Sequence, residues 1–513
     1  MMSLALAIVY FTKTTLEVIT FPYFILTLIY GACVGSFLNV VVYRLPLGKS
    51  LVMPPSSCPK CGHKLAWYDN VPVFGWLWLR GKCRYCANPI SPQYPILEGF
   101  CALAFGMLFL AYFHTYDRLD FFTLRGSDTA MVFVLHLFLL GGLIAASKID
   151  ANLFIIPLEI CWTVTIVALV GFPIAAEMFP SSARLMPHAP TWGIGAAMGG
   201  TIGLAIAFMM LRKGILPVSF LDPQAVAEME KMKRQKEEKG KSKRQTKKEM
   251  KAREEREKGA AKEGSATPKA AEGAKPVASH APAPISAKSK ALYLLLITAI
   301  AIALWFTLGL WGRVTGFVLL WWGVLLVDFG AYGDAADFKD SGPEHWWIHP
   351  RPRFEAMKEV LYLSFPIVFA LIGIGIATLP AVEPSLLQLP LPVKALAGVV
   401  FGYLVGCGVV WGVRILGTLG FGKEAMGLGD VHLVGAIGAV IGAGDATISF
   451  LLAAFLGLGH AVVEATLGRL LVKRGVQIPY GPHLCGAAIL LMLFRTPIAK
   501  IAEESLGLPI FGR

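Results

Sequence analysis

Long apolar runs separated by short polar steps are the main pattern of this sequence. Measured against the ~20 residues that a helix needs to cross a bilayer, they predict about twelve transmembrane helices, near residues 22–43, 97–115, 130–149, 155–178, 192–211, 291–312, 314–329, 359–380, 392–416, 431–447, 448–467 and 481–496. The runs are continuous and do not alternate, which disfavours a membrane β-barrel. We therefore predict an all-α polytopic membrane protein.

Composition agrees with this fold class. Of 513 residues, 55% are hydrophobic and only 16% are charged, and the mean hydropathy is +0.61. These values exclude an ordinary soluble globular protein. Residues 1–10 lack a basic region of the kind that begins a cleavable signal, so we expect the first span to be retained.

The net charge of +13 is concentrated in one segment, because residues 212–290 hold 21 Lys or Arg against 11 Asp or Glu. A surplus confined to one segment gives no reason to expect a nucleic-acid partner. The positive-inside rule places this segment, and the basic stretch from Arg44 to Arg84, in the cytoplasm. Its composition is typical of a charged, solvated tether, with attraction to anionic membrane lipid as a secondary role.

Two C-x2-C pairs, separated by 21 residues, lie in the cytoplasmic stretch at Cys58, Cys61, Cys83 and Cys86. This spacing is typical of a structural zinc site with four thiolate ligands, which leaves no role for His63 as a ligand. It predicts a small domain over residues 44–96 that needs the metal to fold. Disulfides are the alternative, which a cytoplasmic location disfavours. The remaining cysteines are predicted to be small core residues: Cys33, Cys101, Cys161, Cys407 and Cys485.

Two aspartates lie at the borders of apolar runs. Asp150 ends the run 131–149, and Asp430 ends the sequence Met426-Gly427-Leu428-Gly429-Asp430. Counting spans alternately from a cytoplasmic 44–96 brings both to the cytoplasmic face. There they could form a carboxylate pair of the aspartic protease type. The simpler alternative for Asp430 is that it caps the next helix.

Two further stretches carry polar chemistry. An acidic and aromatic cluster lies between Asp334 and His349, where a band of interfacial tryptophans is favoured over a metal site. Residues 477–483 contain two prolines and a glycine at the start of the last span. They are interpreted either as irregular backbone beside the active site or as an ordinary helix start.

Together these residues resemble the type IV prepilin peptidases, membrane enzymes that remove the leader of prepilins and pseudopilins and then methylate the new N-terminus. The resemblance covers about 22–178 and 391–496. Five features carry it: Gly35-Ser36-Phe37-Leu38-Asn39 with Tyr43-Arg44-Leu45-Pro46, the double C-x2-C, Asp150 with Pro157, Met426-Gly427-Leu428-Gly429-Asp430, and Ile478-Pro479-Tyr480-Gly481-Pro482.

The resemblance implies an aspartic endopeptidase of the bacterial inner membrane, with its active site at the cytoplasmic face. It implies catalytic roles for Asp150 and Asp430, zinc on the four cysteines, S-adenosylmethionine as methyl donor, and prepilins or pseudopilins as substrates. His432 departs from the family pattern, because lysine is usual there. The predicted parts of the chain are a first span (1–43), the zinc domain (44–96), a first peptidase part (97–178), an insertion of four spans that includes the tether (179–390), and a second peptidase part (391–513).

Two other functions compete with this one. A transporter would use the carboxylates as a proton relay, but no repeat of similar halves is evident and a zinc domain fits it poorly. A scaffold of a secretion machine that had lost catalysis would have a defective aspartate pair, whereas both aspartates are present.

Overall fold

The computed structural model describes residues 2–58, 60–113, 126–220, 298–300, 316–317, 351–471 and 479–506. The described residues form helices and loops, with no β-strand among them, only two isolated bridges at Ser57–Lys64 and Lys82–Pro89. The predicted all-α class is confirmed over this part of the chain.

Continuous apolar sequence forms long helices here because a helix pairs its own backbone groups, as a bilayer requires. In chain order they are α1 (Met2–Arg44), α2 (Phe74–Trp78), α3 (Gln93–Phe113), α4 (Gly126–Leu153), α5 (Leu158–Met178), α6 (Thr191–Arg212), α7 (Pro352–Ala377), α8 (Glu383–Leu387), α9 (Leu391–Phe421), α10 (Leu428–Ile441), α11 (Ala443–Leu471) and α12 (Gly481–Leu506). Among the described residues, eight stretches, in α1, α3 to α7, α9 and α11, are long and apolar enough to span a membrane. The chain is therefore a polytopic membrane protein.

The border predicted between the spans 431–447 and 448–467 is wrong. Helix α10 ends at Ile441 and α11 begins at Ala443, so the break falls at Gly442. Gly442 has φ 93°, a backbone conformation that residues with a Cβ rarely adopt. The predicted spans 291–312 and 314–329 lie almost entirely outside the described residues.

Helix α10 is the centre of the second half of the bundle. It has 14 residues and is buried at every position from Val431 to Val440 except His432, among α4, α5, α9 and α11. A helix that is apolar on every side is stable only inside a protein or a membrane. Asp430 lies in the first turn of this helix, so the packing of α10 fixes the backbone position of this aspartate.

The helices on either side of the charged segment pair closely with each other. Gly195, Gly199 and Gly203 lie on one stripe of α6 and face the backbone of α7, where a Cβ at any of them would overlap a main-chain carbonyl of Phe365, Phe369 or Gly373. Small residues at four-residue spacing allow this approach of membrane helices. The α6–α7 pair then packs on α9. Helices from the predicted insertion are thus part of the described bundle.

Helices α1 and α3 pack side by side, and both contact α4. The segment between them, which carries the four cysteines, therefore leaves and rejoins the bundle at one end. Arg44, the last residue of α1, fixes the start of that segment by donating to the carbonyl oxygens of Ser50 at 3.0 Å and Pro54 at 2.7 Å.

Candidate active site and metal centre

The two cysteine pairs have matching backbone conformations. The Cys58 N–H donates to the His63 carbonyl at 2.9 Å, and the Cys83 N–H donates to the Asn88 carbonyl at 2.8 Å. Each turn closes through a residue of positive φ, Gly62 at 69° and Ala87 at 55°. This repetition produces two equivalent turns that point their thiols at one another.

The four sulfur atoms are placed for a single metal ion. All four Sγ atoms lie within 4.8 Å of one another, and the Cys58 and Cys86 sulfurs are 3.8 Å apart. A tetrahedral ion with Zn–S bonds of about 2.3 Å requires sulfur separations of about 3.8 Å, so the donor set fits zinc. None of the nine cysteines is in a disulfide.

The environment of Cys86 favours the thiolate form that a metal ligand needs. Hydrogen bonds from the backbone N–H of Asn88 and from its side-chain amide lower the pKa of the Cys86 thiol to about 6. His63 stacks on Tyr85, with ring centroids 3.6 Å apart, and is not part of the four-thiol cluster.

A buried carboxylate connects the cysteine-containing segment to the membrane helices. Glu98, in the first turns of α3, accepts a hydrogen bond from the Val73 backbone N–H at 2.7 Å. Val73 has φ 63°, which is costly for a β-branched residue and needs support from its surroundings. Glu98 supplies it, and Asn39 of α1 adds a contact by donating to the Tyr94 carbonyl at 3.3 Å.

Asp150 lies near the C-terminal end of α4, with 6% of its surface exposed. Its Oδ2 accepts a hydrogen bond from the backbone N–H of Gly481, the first residue of α12, at 2.9 Å. The approach is close enough that a Cβ on Gly481 would lie 2.6 Å from that oxygen. The motif at residues 478–482 thus contacts the first predicted catalytic residue.

Asp430 is the third residue of α10. Its Oδ2 accepts from the Gly427 N–H at 3.3 Å, so it does cap its own helix, as the simpler interpretation expected. It also interacts electrostatically with Asp150. Gly429 lets this helix start approach the loop after α4, because a Cβ there would lie 2.8 Å from the Ile156 Cβ. The two aspartates are thus near enough to interact electrostatically, in the region where α4, α10 and α12 contact one another.

His432, the departure from the family pattern, lies two residues after Asp430 in α10. Its Nδ1 is 2.8 Å from the Tyr403 hydroxyl of α9, and its ring lies 5.5 Å from that of Trp162. It is therefore held between α9 and α5 by a hydrogen bond and an aromatic contact.

Sequence reasoning missed a charged cluster behind Asp430. Arg414 of α9 is fully buried and contacts Glu359, Glu424 and the Met426 carbonyl. The available signal was an arginine inside the apolar run 392–416, since an ionisable residue there marks a partner or a function.

Two smaller predictions can also be checked. Four of the five remaining cysteines are buried as predicted, whereas Cys33 is exposed on α1. The cluster between Asp334 and His349 lies outside the described residues.

Comparison with known proteins gives one family match, in the first part of the chain, and several similar proteins. Residues 29–112 match the bacterial peptidase A24 N-terminal domain. A prepilin leader peptidase/N-methyltransferase of Myxococcus xanthus is 40% identical over 150 residues, which is 29% of this chain and 40% of that protein. Proteins of the same name from Klebsiella pneumoniae (48% over 86 residues, 16% of this chain and 36% of theirs) and Vibrio cholerae (41% over 117 residues, 21% and 44%) are also similar.

No solved structure matches this chain. The matches span less than half the length of each of these three relatives, at 40%, 36% and 44%. The double C-x2-C lies inside residues 29–112, the part of the chain that matches the family model. The resemblance predicted from the sequence is thereby confirmed: the chain is similar to the prepilin leader peptidase/N-methyltransferases over part of its length, and residues 29–112 match the bacterial peptidase A24 N-terminal domain.

Proposed function

We propose that this chain is a prepilin leader peptidase, an aspartic endopeptidase that cleaves the short basic leader of type IV prepilins or type II secretion pseudopilins. The observation that carries the proposal is the electrostatic interaction between Asp150 and Asp430, which come from the ends of two different helices that contact each other. The names of the relatives support the same reaction.

The dyad works as one unit that shares a proton, because two close carboxylates do not both ionise readily. The ionised member accepts a proton from water, whose oxygen attacks the scissile carbonyl carbon. The protonated member donates a hydrogen bond to the carbonyl oxygen as negative charge develops there. When the carbon–nitrogen bond breaks, a proton passes from the dyad to the leaving amine. The N–H groups of Gly481 and Gly427 hold the two carboxylates in orientation.

The other proposed parts follow from the same comparison. One structural zinc ion would bind to the four thiolates of Cys58, Cys61, Cys83 and Cys86. Such an ion stabilises the folded segment and has no open coordination position for a substrate. Methyl transfer to the new N-terminus, with S-adenosylmethionine as donor, rests on the relatives' name, and no residue is assigned to that donor. We place the chain in the bacterial inner membrane with the dyad at the cytoplasmic face, where basic leaders remain.

The test is cleavage of a prepilin-like peptide by purified protein in detergent. The substrate carries a short basic leader, a Gly-Phe junction and an apolar helix. Asp150→Asn and Asp430→Asn should each lower the rate by at least about 10³-fold, because neither half of the dyad supplies both proton roles.

Asp445→Asn is the matched control, since Asp445 is also a buried aspartate, paired with Arg495 at 2.8 Å. It should cleave at close to the wild-type rate. Substantial cleavage by either folded dyad variant would reject the assignment and leave the carboxylates available for a proton relay. A wild-type protein that cleaves no such substrate would reject the peptidase itself.

A further inference from the structure

Arg414 is a fully buried cation in a membrane helix. It lies in α9, within a stretch that is long and apolar enough to span a bilayer, and 1% of its surface is exposed. A charge at such a position is stable only with partners of opposite charge and good geometry. Arg414 has such partners on two different parts of the chain.

The first partner is Glu359 of α7. The Arg414 Nε lies 3.1 Å and 3.2 Å from its two carboxylate oxygens, and Nη2 lies 3.1 Å from Oε1. Glu359 also accepts from the Trp411 indole N–H at 2.9 Å. This is a buried, multiply bonded ion pair between α9 and a helix of the predicted insertion.

The second set of partners lies in the loop of residues 422–427, which leads into Asp430. Arg414 Nη1 donates to Glu424 Oε1 at 2.6 Å and to the Met426 carbonyl oxygen. One turn further along α9, the Thr418 hydroxyl accepts from the Ala425 N–H at 3.2 Å. The loop is thus attached to α9 at three successive residues. Arg414 also interacts electrostatically with Asp430 itself.

Residues 219–220, which follow α6, contact the same arginine and its partner. The Phe220 ring lies 4.7 Å from the Arg414 guanidinium carbon. The Phe220 N–H donates to Glu355 Oε2 at 2.9 Å, and the Ser219 hydroxyl lies 3.4 Å from Glu359 Oε1. Residues 219–220 therefore contact both members of the ion pair.

We propose that Arg414 is a positioning residue for Asp430. Glu359 of α7 orients the planar guanidinium group of Arg414, and this group in turn holds the 422–427 loop that leads into Asp430. The inserted helices are then a required part of the catalytic framework and not an appendage to it. This inference rests on the proposed peptidase function. A guanidinium suits the role because it donates in several fixed directions at once, which an ammonium group cannot do.

The experiment compares Arg414→Lys, Glu359→Gln and Glu424→Gln in full-length protein, with Asp445→Asn as a control that breaks the ion pair of another buried carboxylate. Two quantities are measured: kcat and KM for the leader peptide, and hydrogen exchange of the amides of residues 422–430. Each of the three variants should expose the loop to faster exchange. Each should lower kcat with little change in KM, by up to about 10²-fold for a displacement of about 1 Å.

The control should change neither quantity. Wild-type kcat and loop protection in Glu359→Gln and Arg414→Lys would overturn the proposal, as would equal losses in Asp445→Asn. If those two variants do not fold, the result for Glu424→Gln decides between the two outcomes. This variant should fold, because Glu424 is half-exposed and its substitution leaves no unpaired carboxylate inside the protein. If the wild type cleaves no leader at all, the peptidase proposal fails, while the exchange comparison still decides whether the guanidinium group holds the loop.

Discussion

Gly481 occupies a position where a side chain would meet the carboxylate of Asp150. A Cβ built there lies 2.6 Å from Oδ2 and 3.0 Å from the carboxylate carbon, so Gly481→Ala must turn the carboxylate. The backbone N–H that donates to Asp150 is retained in this variant. We therefore expect folded protein whose leader cleavage falls by about 10²-fold, the effect of misplacing a catalytic group by about 1 Å.

Gly412→Ala is the matched control for this variant. A Cβ at Gly412, in the middle of α9, meets nothing within 4 Å. It should leave cleavage unchanged and leave thermal stability equal or slightly higher. Equal activity of Gly481→Ala and wild type, measured by the peptide assay, would show that the carboxylate has room to adapt.

The residues of the candidate site differ in how far the sequence could predict them. Asp150 and Asp430 interrupt apolar runs, and counting spans predicted that both reach the same face of the membrane. The contact between Asp150 and the Gly481 N–H joins residues 331 positions apart, and no local pattern specifies it. The Arg414–Glu359 pair is similar, because a sequence shows that a buried charge needs a partner without showing which one.

At the scale of elements, the cysteine turns give the clearest test. Four thiols within 4.8 Å of one another repel as thiolates unless a cation lies between them. We expect about one zinc ion per chain in purified protein, from the four-ligand count. Cys83→Ser should lose the metal and make residues 45–92 sensitive to protease, because this segment has little apolar core of its own.

Metal analysis and limited proteolysis measure both effects. Cys101→Ser is the control, since Cys101 is buried in α3 outside the cluster and should retain the zinc. Protein without zinc, or with Cys58 and Cys86 linked as a disulfide in cells, would contradict the prediction.

Helix boundaries were less predictable than the helices themselves. The apolar run from 431 to 467 carries no charge pattern that marks a break except Asp445, and the predicted border followed length alone. The structure breaks at Gly442 and buries Asp445 against Arg495. Because α10 is enclosed by other helices and need not span the bilayer, a rule based on membrane thickness cannot set its length.

At the scale of the whole molecule, the helices of the predicted insertion are joined to the rest of the bundle more closely than composition suggested. The predicted tether began at residue 212, where the charge surplus begins. Over residues 213–220 the chain instead packs back on the bundle: Leu216 is 5% exposed, and Phe220 lies against Arg414. The strongly charged sequence starts only after this point, from Asp222 onward.

This difference divides the charged segment into two parts with different expected roles. Residues 223–290 hold nearly all of the 21 Lys or Arg of the segment and few large apolar side chains, so they offer little surface to bury against a catalytic framework. Replacing residues 223–290 with a flexible tether of similar reach should preserve leader cleavage in a membrane assay. Replacing 213–290 also removes Leu216 and Phe220, and should lower kcat because the Arg414 ion pair loses its cover. Equal activity of the two replacements would show that residues 213–220 do not support the site. Loss of cleavage in the replacement of residues 223–290, with zinc binding and membrane insertion intact, would show that the charged segment is part of the active enzyme.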